Sequence, residues 1–257
     1  MPPRQPTAAD MPPKVTCTIT VPPPSHPPTH PLLLLHGIGD SHLALHPLAQ
    51  LLSLPETTTI NLRAPTHMPL LPGYHWGDDL TFSADGTIDP DAGFELAVGY
   101  VEEVISALVE KCGYEERDVL IMGLGQGGMV ALEVARYARE LRGVVSFGGG
   151  LPSPPTAGAT FAATHTTAST KTPPTPATAG KSPTPVLLLK GARGSAVSLE
   201  AVARTREAFT HVEVVEWPRE GDGMARNREE MLPVMRFFAQ RLRSVRGIPK
   251  GAVELGR

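Results

Sequence analysis

Cysteine is scarce in this chain: two in 257 residues, Cys17 and Cys112. They are far apart and in no metal-ligand spacing, which excludes a disulfide framework or a zinc site and predicts buried thiols. An excess of positive charge is also missing. With a formal net charge of -3 there is no basic stripe of the kind that nucleic acid or an anionic membrane would need, so neither partner is expected. Long apolar runs are absent too. The longest aliphatic run, Leu32-Leu33-Leu34-Leu35, is far short of a transmembrane segment, and the proline-rich start has no apolar signal core. These absences predict a soluble, cytoplasmic protein.

What remains is ordinary globular material: 41% hydrophobic and 19% charged residues, enough in one chain of this length for a single α/β domain with a full core. Residues 1–13 are rich in proline and expected to be disordered, and the domain is expected over residues 14–242. The alternation of β-branched and polar residues at 15–21 predicts a first strand. Leu32 to Leu35 reads as a strand covered on both faces, which feeds the glycine loop His36-Gly37-Ile38-Gly39-Asp40. A helix over residues 41–52 should turn Leu43, Leu48, Leu51 and Leu52 to the sheet. Residues 60–62 read as a strand and 63–92 as a long loop. Apolar residues at helical spacing predict a crossover helix at 93–111.

Strands are then expected at 119–122, 144–147, 186–189 and 212–215, with helices after the first, third and fourth; Met231, Val234, Met235, Phe238 and Leu242 form the stripe of the last helix. This alternation of strand and helix predicts a mostly parallel central sheet with helices on both faces. Residues 152–185 are almost entirely Thr, Pro, Ala, Ser and Gly and read as a disordered insertion, and the basic tail 243–257 as a flexible end.

The stretch from Val119 to Ala135 runs from an apolar strand through a glycine turn into a helix, and two known turns share that outline. Gly123, Gly125 and Gly128 satisfy the dinucleotide fingerprint G-x-G-x-x-G. That reading also requires an acidic residue at the end of the next strand to hold the ribose, where this chain has Phe147-Gly148-Gly149-Gly150. The other candidate is the nucleophile elbow G-x-S-x-G, with Gly125 standing where the serine would be.

The neighbouring motifs favour the elbow. Leu35-His36-Gly37-Ile38-Gly39-Asp40, Arg63-Ala64-Pro65, Trp76-Gly77-Asp78, Gly123-Leu124-Gly125-Gln126-Gly127-Gly128 and Leu151-Pro152 stand in one order and spacing. In this the chain resembles the acyl-protein thioesterase and phospholipase/carboxylesterase family of α/β-hydrolases, from about residue 32 to 242. The resemblance implies an α/β-hydrolase fold. It also implies three catalytic slots, a serine in the elbow, an aspartate after a later strand and a histidine before the last helix, and all three are changed: Gly125, Gly194 and Met224 occupy them. A local gap would move the last slot to Asp222 or Gly223 without supplying a histidine.

Triad chemistry needs a hydroxyl nucleophile, a base to take its proton and a carboxylate to orient the base. Loss of the serine or histidine alone costs on the order of 10⁶ in kcat. The sequence therefore predicts an inactive member of this family. The backbone N–H groups of Ile38 and Gln126 are expected to keep an oxyanion-like pair, and His36, Leu70, Leu71, Trp76 and Met224 are candidates for the wall of an apolar pocket. The ligand expected there is an acyl chain, a lipid or an acylated peptide; the other role open to such a fold is as a scaffold for a protein partner. An active esterase with a non-standard site, using Ser195 or Asp222, is the alternative. No cofactor is expected. His42 and His46, four apart, invite a metal reading, but with no carboxylate or third histidine in step the sequence favours a partly exposed helix face and no metal.

Overall fold

The computed structural model describes residues 3–23, 28–69, 71–82, 86–137, 140–154 and 180–242. The chain begins not as a loose end but as a docked segment. Arg4 N–H donates to Cys112 O at 2.9 Å, Arg4 pairs with Asp10, Lys111 Nζ donates to Asp10 O at 2.9 Å, and Met11 is buried in the core. The expectation of disorder over residues 1–13 fails for the described part, because proline-rich composition says nothing of a segment whose polar groups find partners on a finished helix.

The strands are β1 (Cys17–Thr20), β2 (His30–Leu35), β3 (Thr57–Leu62), the short pair β4 (Thr66–His67) and β5 (Tyr74–His75), then β6 (Leu120–Leu124), β7 (Gly143–Phe147), β8 (Val186–Arg193) and β9 (Val212–Glu220). The helices are α1 (His46–Leu52), α2 (Glu95–Cys112), α3 (Gln126–Tyr137), α4 (Leu199–Ala208) and α5 (Arg228–Arg241), with two short 3₁₀ turns besides. Seven strands form one sheet in the order β1-β3-β2-β6-β7-β8-β9, parallel throughout except for the antiparallel β1–β3 pair.

The inner strand β2 shows how both faces of the sheet are covered. Leu33 and Leu35 of β2 join the core under α2 and α3, while Leu32 and Leu34 join the one under α1 and α5. All six residues of β2 are buried, as a run without alternation requires.

Boundaries moved where packing and caps outweighed periodicity. Residues 41–45 form turns, so α1 starts only at His46, and Leu43 and Leu51, expected against the sheet, are exposed. The expected loop at 63–92 holds the β4–β5 pair. In α5 the inward residues are Val234, Phe237 and Phe238, and Met235 is exposed. Residues 180–185 of the expected insertion are ordered, with Ser182 Oγ donating to Ala135 O at 2.8 Å; residues 155–179 and the tail 243–257 lie outside the described residues. Both cysteines are free thiols, Cys112 buried and Cys17 half-buried. No helix among the described residues is long and apolar enough to cross a membrane.

Candidate active site

The turn between β6 and α3 is built by close backbone contacts. A Cβ on Gly123 would overlap the Gly127 carbonyl, one on Gly127 would overlap the Leu35 and His36 carbonyls, and one on Gly128 would overlap Ser146 Oγ. These three glycines let strand, loop and helix touch. Gly125 differs from them: it has φ of +52°, and nothing stands within 4 Å of where its Cβ would be. Its N–H donates to Phe147 O at 2.7 Å, and its carbonyl accepts from Gly128 and Met129 at 2.9 and 3.1 Å. Gly123 and Gly128 of the dinucleotide pattern thus serve internal packing, and the turn has the form of an elbow whose tip, Gly125, lacks a side chain.

The loop after β2 lies beside that tip, with the Gly37 α-carbon facing Leu124 O. Ile38 and Gln126, the expected oxyanion-like pair, stand on these two adjoining segments. His36 holds its loop rather than offering a base. Its Nδ1 meets Gly37 O at 2.7 Å and its Nε2 accepts from the Ala64 N–H at 3.0 Å, which fixes the Nδ1–H neutral tautomer. Burial pushes its pKa down, and the Gly37 carbonyl opposes this only in part.

Trp76, expected in a pocket wall, is instead wholly buried, with Nε1 donating to His36 O at 2.8 Å. Its own backbone N–H goes to Gln126 Oε1 at 2.7 Å, so the Trp76 segment, the His36 loop and the elbow are bolted together. Asp78 caps α2 from a distance, accepting from the Glu95 and Leu96 N–H groups at 2.8 and 2.9 Å. Neither role is visible in the sequence beyond the motif spacing. Of the other pocket candidates, Leu71 is exposed, Leu70 lies outside the described residues, and Met224 packs into the α1/α5 core. The expected pocket is therefore not assembled by these side chains: the tryptophan is needed beneath the loop and the methionine in the core. Two cavities, of 370 and 240 Å³, border β8, β9 and α5 rather than the elbow.

The remaining slots lie after β8 and β9, at the same end of the sheet. Gly194 has φ of +58° and contributes no side chain. Across from it, Asp222 fills the gap between the two loops: its Oδ1 accepts from Gly191 N–H at 2.9 Å and Ser195 Oγ at 2.8 Å, and its Oδ2 from Ala196 N–H at 2.8 Å. Gly148, at the end of β7, leaves the room in which the Asp222 side chain lies. Arg219 grips the other side of the loop, donating to Gly223 O at 2.8 Å, Met224 O at 3.1 Å and Glu230 at 2.9 Å, with its guanidinium 4.3 Å from the Trp217 ring centroid.

Among the described residues no histidine stands in the loops after β6, β8 or β9. His211 precedes β9 and so lies at the other end of the strand. Among the described residues, the loops after β6, β8 and β9 bring backbone N–H donors, the Asp222 carboxylate and the Ser195 hydroxyl to this end of the sheet.

A family profile described as Phospholipase/Carboxylesterase matches residues 17–204. The chain belongs to this family of α/β-hydrolases. An uncharacterised hydrolase of Schizosaccharomyces pombe is 35% identical over 131 residues, covering 47% of this chain and 53% of that protein. The match thus spans about half the length of the curated relative. Among solved structures of similar fold, esterase PE8 has a TM-score of 0.68 at 20% identity, covering 89% of this chain and 99% of that one. Acyl-protein thioesterase 2 of Zea mays has a TM-score of 0.56 at 18% identity, covering 88% and 98%. Family members named as hydrolases support hydrolysis as the family's chemistry, and fold likeness at these identities carries no more than the fold.

Proposed function

We propose that this chain is a member of the phospholipase/carboxylesterase family that has lost covalent hydrolysis. The observation that carries the reading is Gly125, at the tip of the elbow, with open space where a nucleophile's side chain would project. Gly194 and Met224 point the same way, and in their place Asp222 ties the two loops together. In this reading the segments bearing Ile38 and Gln126 hold the polar head of an acyl, lipid or acylated-peptide ligand without cleaving it. The free thiols of Cys17 and Cys112 fit a reducing, cytoplasmic setting.

The test is reaction with a fluorophosphonate probe and hydrolysis of a 4-nitrophenyl ester. The reading expects no labelling and no rate above that of denatured protein; stoichiometric labelling of a serine overturns it. Retention of a lipid by protein taken from cells, read by native mass spectrometry, tests the ligand class. A second reading has one observation in its favour: the Ser195 hydroxyl is already donated to a carboxylate. In that reading the chain is an ester or thioester hydrolase with a non-standard site, and the probe would label Ser195.

A further inference from the structure

The Asp222 carboxylate rests in a concave set of donors that all come from another part of the chain. Its Oδ1 accepts from the Gly191 N–H at 2.9 Å and from Ser195 Oγ at 2.8 Å, and its Oδ2 accepts from the Ala196 N–H at 2.8 Å. These donors belong to the end of β8 and the loop after it, whereas Asp222 arrives from the loop after β9. Ser195 Oγ is itself held in place, accepting from the Val197 N–H at 3.0 Å. Among the described residues no ion pair includes Asp222.

Asp222 hangs between two glycines. Gly221 and Gly223 have φ of +70° and +122°, and nothing stands within 4 Å of where a Cβ would be on either, so the pair can swing the residue out with little steric resistance. On the inner side, a Cβ on Gly148 would overlap the Asp222 side chain, and one on the next residue, Gly149, would overlap the Gly125 carbonyl. Two consecutive residues thus touch Asp222 and the tip of the elbow. The donor set and the open space at Gly125 are neighbours.

We infer that Gly191, Ser195 and Ala196 form a receptor for the carboxylate of an aliphatic free acid, and that Asp222 is its built-in occupant, an autoinhibitory contact which such an acid displaces. The donors decide the class. Three neutral donors around two coplanar oxygens match a group of single negative charge, whereas a phosphate brings further oxygens and a second charge to a place with no cation beside it. The inference rests on the proposed reading in one respect, that the hydrocarbon of the acid runs over Gly125, where no side chain stands. It narrows the acyl or lipid ligand to one with a free acid group. Such a ligand meets the receptor only in the fraction of molecules with Asp222 swung out, and its apparent affinity is lowered by that fraction.

The experiment compares the full chain with its Asp222→Ala and Asp222→Asn variants. Formate supplies the carboxylate that the alanine variant lacks. It should raise the melting temperature of Asp222→Ala above the value in an equal concentration of chloride, and the rise should shrink when Ser195→Ala is added. Octanoate, titrated in a calorimeter, should bind both variants at least about tenfold more tightly than the unsubstituted chain, while 1-octanol, with the same hydrocarbon and no acid, should show no such gain. If Asp222→Ala fails to fold, the octanoate comparison with Asp222→Asn decides alone. Formate acting as chloride does on folded Asp222→Ala, octanoate binding all three proteins equally, or a gain that 1-octanol shares overturns the receptor. Fluorophosphonate labelling is read separately: a labelled serine overturns the inactive reading and leaves the formate result standing.

Discussion

Ser195 Oγ and Asp222 Oδ1, 2.8 Å apart, belong to loops that follow different strands. The same carboxylate takes the backbone N–H of Gly191 near the end of β8 and that of Ala196 in the loop after it, so one side chain holds the two segments together over the end of the sheet. Hydrogen bonds to a charged acceptor contribute about 1.5–3 kcal/mol each when partly buried. Asp222→Ala should destabilise the protein by roughly 2–4 kcal/mol, read from urea unfolding. A change within experimental scatter would show that the loops are held otherwise.

Placing the family's serine, aspartate and histidine in the three slots tests the proposed inactive reading from the opposite side. Gly125→Ser alone has room for its side chain, costs about 1–3 kcal/mol for a left-handed backbone, and on the proposed reading gains no esterase activity, since among the described residues none lies within 4 Å of where its Cβ would be. Gly125→Ser, Gly194→Asp and Met224→His together should bring measurable fluorophosphonate labelling at position 125. Labelling of the single variant as fast as the triple one would mean that a base is already present.

The other glycines of the turn behave differently. Gly123→Ala drives a methyl group into the Gly127 carbonyl, and backbone cannot yield as a side chain can. A loss of about 3 kcal/mol or more is expected, or no folded protein at all. A stable Gly123→Ala variant would mean that the strand and the helix start do not meet as described.

Asp78 is a remote cap. Asp78→Ala removes acceptors from two N–H groups at the start of α2 and should cost about 0.5–2 kcal/mol, with fraying of the first turn seen by amide hydrogen exchange. Unchanged protection at Glu95 and Leu96 would discard this role.

His36 sets an acid limit. Its folded-state pKa lies below the ordinary value of about 6.5 because burial penalises the imidazolium. The unfolded chain therefore binds its proton first as pH falls. The contribution of neutral His36 is fully present above about pH 6.5 and is lost as pH drops through the lower, folded-state value. His42 and His75 are shifted in the same direction by burial and add to the effect. Stability measured from pH 7.5 to 5 should fall, and less steeply in His36→Gln; equal slopes would remove the assignment.

The fold was legible because its signals are local and repeat: the apolar run of β2, the amphipathic α2 and the glycine turn each announce themselves within a few residues. The slot residues Gly125, Gly194 and Met224 are read from the flanking motifs and belong to the proposed reading, the last of them movable by a local gap to Asp222 or Gly223. Side-chain direction was not legible. Trp76 has the composition of a pocket wall, and only the path of the loop above it shows that its indole N–H is required beneath His36. Likewise the N-terminal segment reads as disordered until the end of α2 supplies Cys112 O and Lys111 as partners.

That docked segment also gives the molecule a handedness of approach. Arg4 is tied to Cys112 at the end of α2, and Gln5 Nε2 reaches Thr58 Oγ1 at 2.8 Å near the start of β3. Both anchor points lie where the parallel strands begin, and the elbow lies where they finish. A protein immobilised through Arg4 would therefore face a solid support with the end of the sheet where the parallel strands begin, and the Gly125 turn would lie at the opposite end.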